Sequence, residues 1–182
     1  MIIRSLLSTV VPLIVGVVTV SSTQDANASE RERRFFNSVE GRWSGPGEIV
    51  AGKYKGTKFV CNFTGTTPNG KIGMALDGGC RVGLFTQKMS AAIEKSGGRG
   101  YRGRFMDGAA GKGLDVIGGS VASNRVVFKL ARASLDGAMQ ARMADDDTMN
   151  VTVSVKVENQ LVPVIGMSLK RLDGSSVGAI NN

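Results

Sequence analysis

The sequence predicts an all-β fold, an antiparallel up-and-down β-barrel of roughly eight to ten strands with a short N-terminal helical lead-in. Three observations predict this fold. From Gly41 to about residue 172, apolar and polar residues alternate with the period of half-buried strands. Short turn-forming sequences separate the alternating runs. The chain also contains 25 glycines, which allow strands to bend where a sheet curls into a barrel and loses its exposed edges.

Residues 1–28 have the pattern of a signal peptide. Arg4 precedes an apolar core from Leu6 to Val20, and small residues two positions apart, Ala26 and Ala28, end the segment. The alternative is a membrane anchor that is retained, but the core of about 15 residues is shorter than the roughly 20 that span a bilayer. We therefore expect cleavage after Ala28, a periplasmic or secreted protein, and no transmembrane segment after processing.

The predicted mature chain has three parts. Residues 29–40, SERERRFFNSVE, are typical of a short helix or turn in which Phe35, Phe36 and Val39 cover an opening while the charges face water. Residues 41–172 form the predicted barrel domain. Residues 173–182, DGSSVGAINN, are predicted to be a disordered tail.

The strands are assigned from alternation. In residues 148–157, TMNVTVSVKV, every second residue from Met149 onward is apolar and the others are polar or charged. Residues 86–98 fit either a strand of shifted parity or one helical turn. An outer-membrane barrel is disfavoured because the outward positions are polar and the chain has few aromatic residues. Turns are predicted at Asn69-Gly70, Asp77-Gly78, Ser123-Asn124, Asp136-Gly137, residues 145–147 and Glu158-Asn159.

The two cysteines, Cys61 and Cys80, predict one disulfide. An even number of cysteines in an exported protein indicates a bridge, because the compartment is oxidising. Two cysteines are too few for a structural zinc site, and the chain has no histidine to complete one. We therefore expect no metal site. The acidic run at 145–147 lacks the spaced ligands and the glycine of a calcium loop.

The absence of histidine also argues against an enzyme. No Ser-His-Asp or Cys-His arrangement exists, and carboxylates and lysines are the general bases that remain. Carboxylates at the mouth of the barrel, Glu48, Asp107 and Asp115, are the enzymatic alternative. We expect no catalytic residues and no cofactor.

The net charge of +8 limits the kinds of partner that the protein is expected to bind. An exported basic protein does not meet nucleic acid, so its anionic partners would be lipid headgroups, acidic glycans or another envelope protein. Two basic segments with interleaved aromatic residues, AGKYKGTK and RGYRGRF, supply Lys53, Lys55, Arg102 and Arg104 as a predicted patch for an anionic partner. The alternative is that these cations only solvate the outer faces of strands.

The only tryptophan, Trp43, lies in the run GRWSGPGEI. Gly41-x-Trp43 at the start of the first strand, after a short helix, resembles the calycin superfamily of lipocalins, avidins and fatty-acid-binding proteins. The resemblance implies that Trp43 closes one end of the barrel and that a basic residue of the last strand, Arg171 or alternatively Lys170, packs across the indole. The run also looks like the start of nitrobindin-like barrels, which bind haem through a histidine that this chain lacks.

Two functions follow as hypotheses. The first is a carrier in which the barrel interior binds an apolar or amphipathic small molecule or lipid. The second is an interaction module of the cell envelope, similar to exported barrels that inhibit metalloproteases through their N-terminal segment. A solid interior would favour the second hypothesis, because a barrel of about eight strands is either filled by its own side chains or holds one ligand. The predicted interior comprises Phe59, Phe63, Met74, Met139, Met143, Met149, Val151, Val153, Ile165 and Met167.

Overall fold

The computed structural model describes residues 23–97, 100–106 and 113–172, and in these residues it confirms the all-β prediction: ten antiparallel strands form a closed barrel, with one N-terminal helix. Residues 1–22 of the predicted signal peptide and the predicted tail, 173–182, lie outside the described residues. The elements are α1 (Thr23–Ser38), β1 (Gly41–Ile49), β2 (Lys58–Thr66), β3 (Gly73–Val82), β4 (Phe85–Lys95), β5 (Tyr101–Met106), β6 (Leu114–Ala122), β7 (Arg125–Arg132), β8 (Leu135–Asp145), β9 (Thr148–Val157) and β10 (Gln160–Arg171).

The strands follow one another around the barrel in chain order, and β1 pairs with β10 to close it. The two ends of the barrel therefore differ in their connections. The end that carries α1, the start of β1 and the last residue of β10 is called the closed end. The β1–β2, β3–β4, β7–β8 and β9–β10 connections lie at the opposite end, called the open end.

Helix α1 is longer than the predicted lead-in, since it begins at Thr23, before the predicted cleavage position after Ala28. Cleavage itself stays a prediction. The last turn of the helix and the residue that follows it cover the closed end with Phe35, Phe36 and Val39, all of them buried. The ring centroids of Phe36 and Tyr101 lie 5.5 Å apart.

Two predicted turns are wrong. Asp77-Gly78 lies inside β3 and Asp136-Gly137 inside β8. Gly78 faces inward opposite Phe63, and a Cβ atom there would lie 2.1 Å from the Asn62 carbonyl oxygen and 2.9 Å from the Phe63 ring. The glycine thus allows the close approach of β2 rather than a turn. The ambiguous segment 86–98 is mostly strand, because β4 extends to Lys95.

Trp43 and Arg171 are Cα partners across the β1–β10 pair that closes the barrel. Trp43 is fully buried, and its indole Nε1 donates a hydrogen bond to the Val39 carbonyl at 3.0 Å. The Arg171 guanidinium carbon lies 4.3 Å from the centroid of the indole. This cation–π contact joins the first and last strands, and the indole hydrogen bond ties both to the segment after α1.

The guanidinium of Arg171 also donates hydrogen bonds to three backbone carbonyls. Nη2 donates to the carbonyl of Ser38, the last residue of α1, at 2.7 Å, and Nη1 donates to that of Glu40 at 2.5 Å. Nε and Nη2 reach the Asp146 carbonyl in the β8–β9 turn at 3.2 and 3.1 Å. A cation at the C-terminal end of a helix also interacts favourably with the helix dipole.

A second polar contact fixes α1 to the barrel. Lys95, at the end of β4, forms a salt bridge with Glu32 of α1, and both side chains are largely buried. Tyr101 lies beneath the helix. Burial raises the pKa of the Tyr101 hydroxyl well above its usual range, and the neighbouring Glu32 carboxylate raises it further. Tyr101 therefore stays neutral and acts as part of the core.

The predicted cysteine pair is present. Cys61 of β2 and Cys80 of β3 are directly opposite each other, and their sulfur atoms lie at disulfide distance. Both side chains face the interior, in the same rows as Phe63 and Gly78. The pair therefore fastens two neighbouring strands from inside the barrel.

Replacing Trp43 by alanine should lower the free energy of unfolding by about 3–5 kcal/mol, because a large buried side chain and its contact with Arg171 are lost. Urea denaturation followed by circular dichroism measures this change. The wild-type emission should be blue-shifted relative to free tryptophan. Emission at the wavelength of free tryptophan from the folded protein would contradict the burial of the indole.

Arg171→Met should lower the free energy of unfolding by about 2–3 kcal/mol, because three carbonyl groups lose a charged hydrogen-bond donor. Arg171→Lys should recover only part of this loss, because an ammonium cannot reproduce the planar fork of donors. The matched control is Arg142→Met, at an exposed position near the same end of the barrel, where we expect a change below about 0.5 kcal/mol. Equal losses in both methionine variants would refute the role of Arg171.

Replacing both Cys61 and Cys80 by alanine should lower the free energy of unfolding by about 2–5 kcal/mol, since the unfolded chain gains the freedom of an open loop. Wild-type protein unfolded in a reductant should behave like the double variant. Thiol labelling of denatured, unreduced protein should find no reactive cysteine. Two labelled thiols in that sample would show that the bridge does not form.

Candidate binding site

The inward-facing side chains of the barrel change from buried to accessible along its axis. Near the closed end, Met149 and Leu169 are buried beside each other on β9 and β10. Further toward the open end on the same strands, Val153 and Ile165 are Cα partners and are only partly buried. The inward side chains are therefore fully buried toward the closed end and only partly buried toward the open end, where they pack against the core from one side.

The residues predicted to line a ligand site are divided between these halves. Five of them belong to the packed core and do not line an accessible space. Five others are partly buried on the inner face of the open half. The buried set is Phe63, Met74, Met143, Met149 and Val151, and the partly buried set is Phe59, Met139, Val153, Ile165 and Met167.

The partly buried set forms one continuous wall. Ile165 and Val153 pair across β10 and β9, and Val153 pairs with Met139 across β9 and β8. On the other side of β10, Met167 is opposite Gly47 of β1, which is opposite Phe59 of β2. A Cβ atom at Gly47 would collide with the Phe59 ring and lie 2.7 Å from Met167 Cγ. Glycine at this position thus lets the two large side chains share one level of the barrel.

Further residues complete the wall of the open half and were not among those predicted from the sequence. Their strand partners face inward, which places them on the inner face, and each is partly buried. The parity of β4 was the signal that could have located Met89, but the ambiguous assignment of segment 86–98 obscured it. Together with the five residues above they define the lumen wall; the additional members are Ile49, Met89, Phe105, Leu114 and Val155.

Two polar side chains face inward near the open end. Gln87 of β4 is exposed opposite Cys80, and its Nε2 donates to the Lys88 carbonyl at 3.3 Å. Arg132, the last residue of β7, is opposite Leu135, and its Nε donates to the Gly113 carbonyl at 3.3 Å. A mainly apolar wall with a few polar groups at its mouth is the usual composition of a site for an amphipathic molecule.

The four cations predicted as one anionic-partner patch do not come together. Lys53 and Lys55 lie in the β1–β2 loop at the open end, whereas Arg102 is the second residue of β5, near the closed end. Arg104 forms a salt bridge with Asp115 of β6, with 3.1 Å between Nε and Oδ1. Strands β3 and β4 separate β2 from β5 around the barrel. The two basic segments therefore do not form a common surface, although their sequences are alike.

The carboxylates considered as catalytic alternatives do not converge on the lumen. Glu48 lies on the outer face of β1, because its neighbour Gly47 faces inward opposite Phe59. Asp115 lies on the outer face of β6, in the salt bridge with Arg104. Asp107 lies outside the described residues. Within residues 23–97, 100–106 and 113–172, no group of three His, Cys, Asp or Glu side chains is placed to hold a metal ion.

Two grooves lie outside the barrel, on either side of α1. One has a volume of about 360 Å³ and includes Arg33, Asn37 and Glu40; the other has about 290 Å³ and includes Arg34 and Asp145. Both are shallow and charged, and neither opens into the lumen wall. No helix in the described part of the chain is long and apolar enough to cross a membrane.

Comparisons with known proteins support the fold and do not assign a family. No family model and no curated protein matches the chain. Among solved structures, the chain is similar to Rv2717c from M. tuberculosis, with 12% identity, a TM-score of 0.57, and coverage of 78% of this chain and 98% of that one. A protein of unknown function from the DUF3598 family of Nostoc punctiforme aligns at 10% identity with a TM-score of 0.48, over 75% of this chain and 49% of that one. At these identities the first likeness shows a common barrel fold alone.

Proposed function

We propose that the protein is an exported carrier that binds an apolar or amphipathic small molecule or lipid in the open half of its barrel. One observation carries the proposal. The lumen wall is apolar and only partly buried, whereas the other half of the same barrel is fully packed with side chains of the same types. Because exposed apolar surface inside a barrel is unfavourable in water, an apolar ligand would be stabilised there.

The composition of the wall favours a ligand of variable shape. Met89, Met139 and Met167 are all partly buried in it. Methionine is unbranched and polarisable, so it adapts to irregular apolar surfaces. Gln87 and the neighbouring cations would then accommodate a polar or anionic headgroup at the mouth, while the apolar part of the ligand lies against Met139 and Met167.

Export and a non-catalytic role are parts of the same proposal. The cysteine pair at disulfide distance supports an oxidising compartment. The outward positions of Glu48 and Asp115 support binding rather than catalysis, since neither of these two described carboxylates faces the lumen.

The protease-inhibitor alternative receives less support. Under that hypothesis the segment around Phe35 and Phe36 would enter the cleft of a partner protease. Here both phenylalanines are buried against the barrel, and Glu32 is held by Lys95. The segment would have to leave its packed position before it could bind a protease.

Titration with a dansylated fatty acid should show energy transfer from Trp43, the only tryptophan of the chain, with a dissociation constant below about 100 μM. Native mass spectrometry of protein purified from its own host without detergent should detect a co-purifying small molecule or lipid. If no fatty acid, phospholipid or apolar dye binds more tightly than this limit, the carrier proposal fails.

Val153→Lys should weaken binding of the dansylated fatty acid at least about tenfold, because a charge on the lumen wall is unfavourable beside an apolar ligand. The matched control is Asn150→Lys, which adds the same charge to the exposed outer face of the same strand. Met139→Gln, which is nearly isosteric, provides a second test should Val153→Lys fold poorly. Unchanged affinity in folded Val153→Lys and Met139→Gln would exclude this wall as the binding site.

A further inference from the structure

The tips of the open end carry apolar side chains that no part of the barrel covers. Leu84 and Phe85 at the β3–β4 turn are 97% and 83% exposed. The β1–β2 loop and the β7–β8 and β9–β10 hairpins add further large exposed residues. At the closed end, among the described residues, Leu172 is the one large apolar residue with comparable exposure. We call this surface the apolar rim; it consists of Tyr54, Leu84, Phe85, Leu135, Val157 and Leu161.

The position of Leu84 is the most unusual feature of the rim. Gly83, with φ of 57°, and Leu84 form the two-residue connection between Val82 and Phe85, which are Cα partners. Such turns usually contain small or polar residues, because their side chains project into water. A leucine followed by a phenylalanine at this point places two apolar groups at the outermost part of the molecule, beyond the lumen wall.

Cations lie around the rim. Lys53 and Lys55 are in the β1–β2 loop, Lys58 and Arg81 are near the open ends of β2 and β3, and Lys156 is near that of β9. None of these five forms a salt bridge with another described residue. Three carboxylates, those of Glu48, Asp136 and Glu158, lie in the same region. The described part of the open end is therefore positively charged as well as apolar.

We propose that the apolar rim is a docking surface for an anionic lipid bilayer, with Leu84 and Phe85 entering the interface. Apolar tips on separate hairpins can insert among headgroups, Tyr54 suits the interface, and lysines around them attract anionic lipids. A second copy fits this surface less well, because rim-to-rim contact would bring the two sets of cations together. The inference goes beyond the proposed lumen site, because it concerns a different surface and a different partner. Docking in this orientation would also place the mouth of the lumen against the bilayer.

Vesicle flotation tests the proposal. Full-length protein should float with vesicles of equal parts phosphatidylglycerol and phosphatidylcholine, and bind phosphatidylcholine vesicles at least about tenfold more weakly. Binding should also fall as sodium chloride is raised from low to molar concentration, because salt screens the attraction. Absence of binding to the anionic vesicles, or equal binding to both kinds, would overturn the proposal.

The rim variant is Leu84→Asp with Phe85→Asp, which should weaken binding to anionic vesicles at least about tenfold. The matched control is Ile117→Asp with Leu172→Asp, two residues of 44% and 40% exposure away from the open end, which should retain at least about half of the binding. Leu84→Ser with Phe85→Ser tests the apolar contribution without added charge. Thermal unfolding establishes that each variant is folded. Equal losses in the rim and control variants would refute a specific rim.

The charges are tested separately. Lys53→Glu with Lys55→Glu should weaken binding at least about tenfold, whereas Arg42→Glu with Arg142→Glu, at exposed positions near the closed end, should have a much smaller effect. If the wild type instead forms a dimer that the rim variant dissociates, and does not bind vesicles, the rim is a self-interface and the proposal is wrong.

Docking and ligand binding are distinguishable. Met139→Gln should lose affinity for the dansylated fatty acid and keep vesicle binding, because Met139 lies inside the lumen. The rim aspartate variant should show the opposite pattern. Loss of vesicle binding in folded Met139→Gln, with the rim aspartate variant unaffected, would overturn the docking surface and leave the proposed carrier function to be judged by ligand titration alone.

Discussion

The contact between Arg171 and Trp43 is the constraint on which the rest of the structure depends. It lies where the last strand meets the first, so it coincides with closure of the barrel. The same guanidinium donates hydrogen bonds to three backbone carbonyls, those of Ser38, Glu40 and Asp146, and so connects helix α1 and the β8–β9 turn to the seam. A single partly buried cation of fixed planar geometry thereby orders one whole end of the molecule.

Ordering one end has a consequence for the other. With α1 and Trp43 in place, side chains such as Tyr101 and Phe128 pack into a continuous core in the closed half. That half supplies the apolar burial on which folding depends. The open half then keeps a partly buried apolar wall, which contributes less to stability. The proposed carrier function rests on this difference between the two halves.

The open end combines two different apolar surfaces. The lumen wall lies inside the barrel and is partly buried, whereas the apolar rim lies at the hairpin tips and is exposed. A ligand-sized molecule fits the lumen wall, and an extended surface such as a bilayer fits the apolar rim. Because both surfaces lie at the open end, a lipid-like ligand could pass between a bilayer and the barrel without crossing water. The two proposals are therefore compatible, although each depends on its own residues.

The pattern of residues along the chain was sufficient for the fold class, the cysteine pair and the covering role of Phe35, Phe36 and Val39, because alternation and local turn chemistry determine which face a side chain takes. Alternation does not report depth along the barrel axis. Phe63 and Phe59 have the same parity on β2, yet Phe63 belongs to the packed core and Phe59 to the lumen wall. Only the pairing of β2 with its neighbours shows this difference in depth. The same limit explains Asp77-Gly78, where the glycine lies inside β3 opposite Phe63 of β2. It also explains the cationic patch, because β3 and β4 separate the β1–β2 loop, with Lys53 and Lys55, from β5, with Arg102 and Arg104. Depth and neighbourhood are decided by pairings between distant parts of the chain, and these exist only once the barrel has closed.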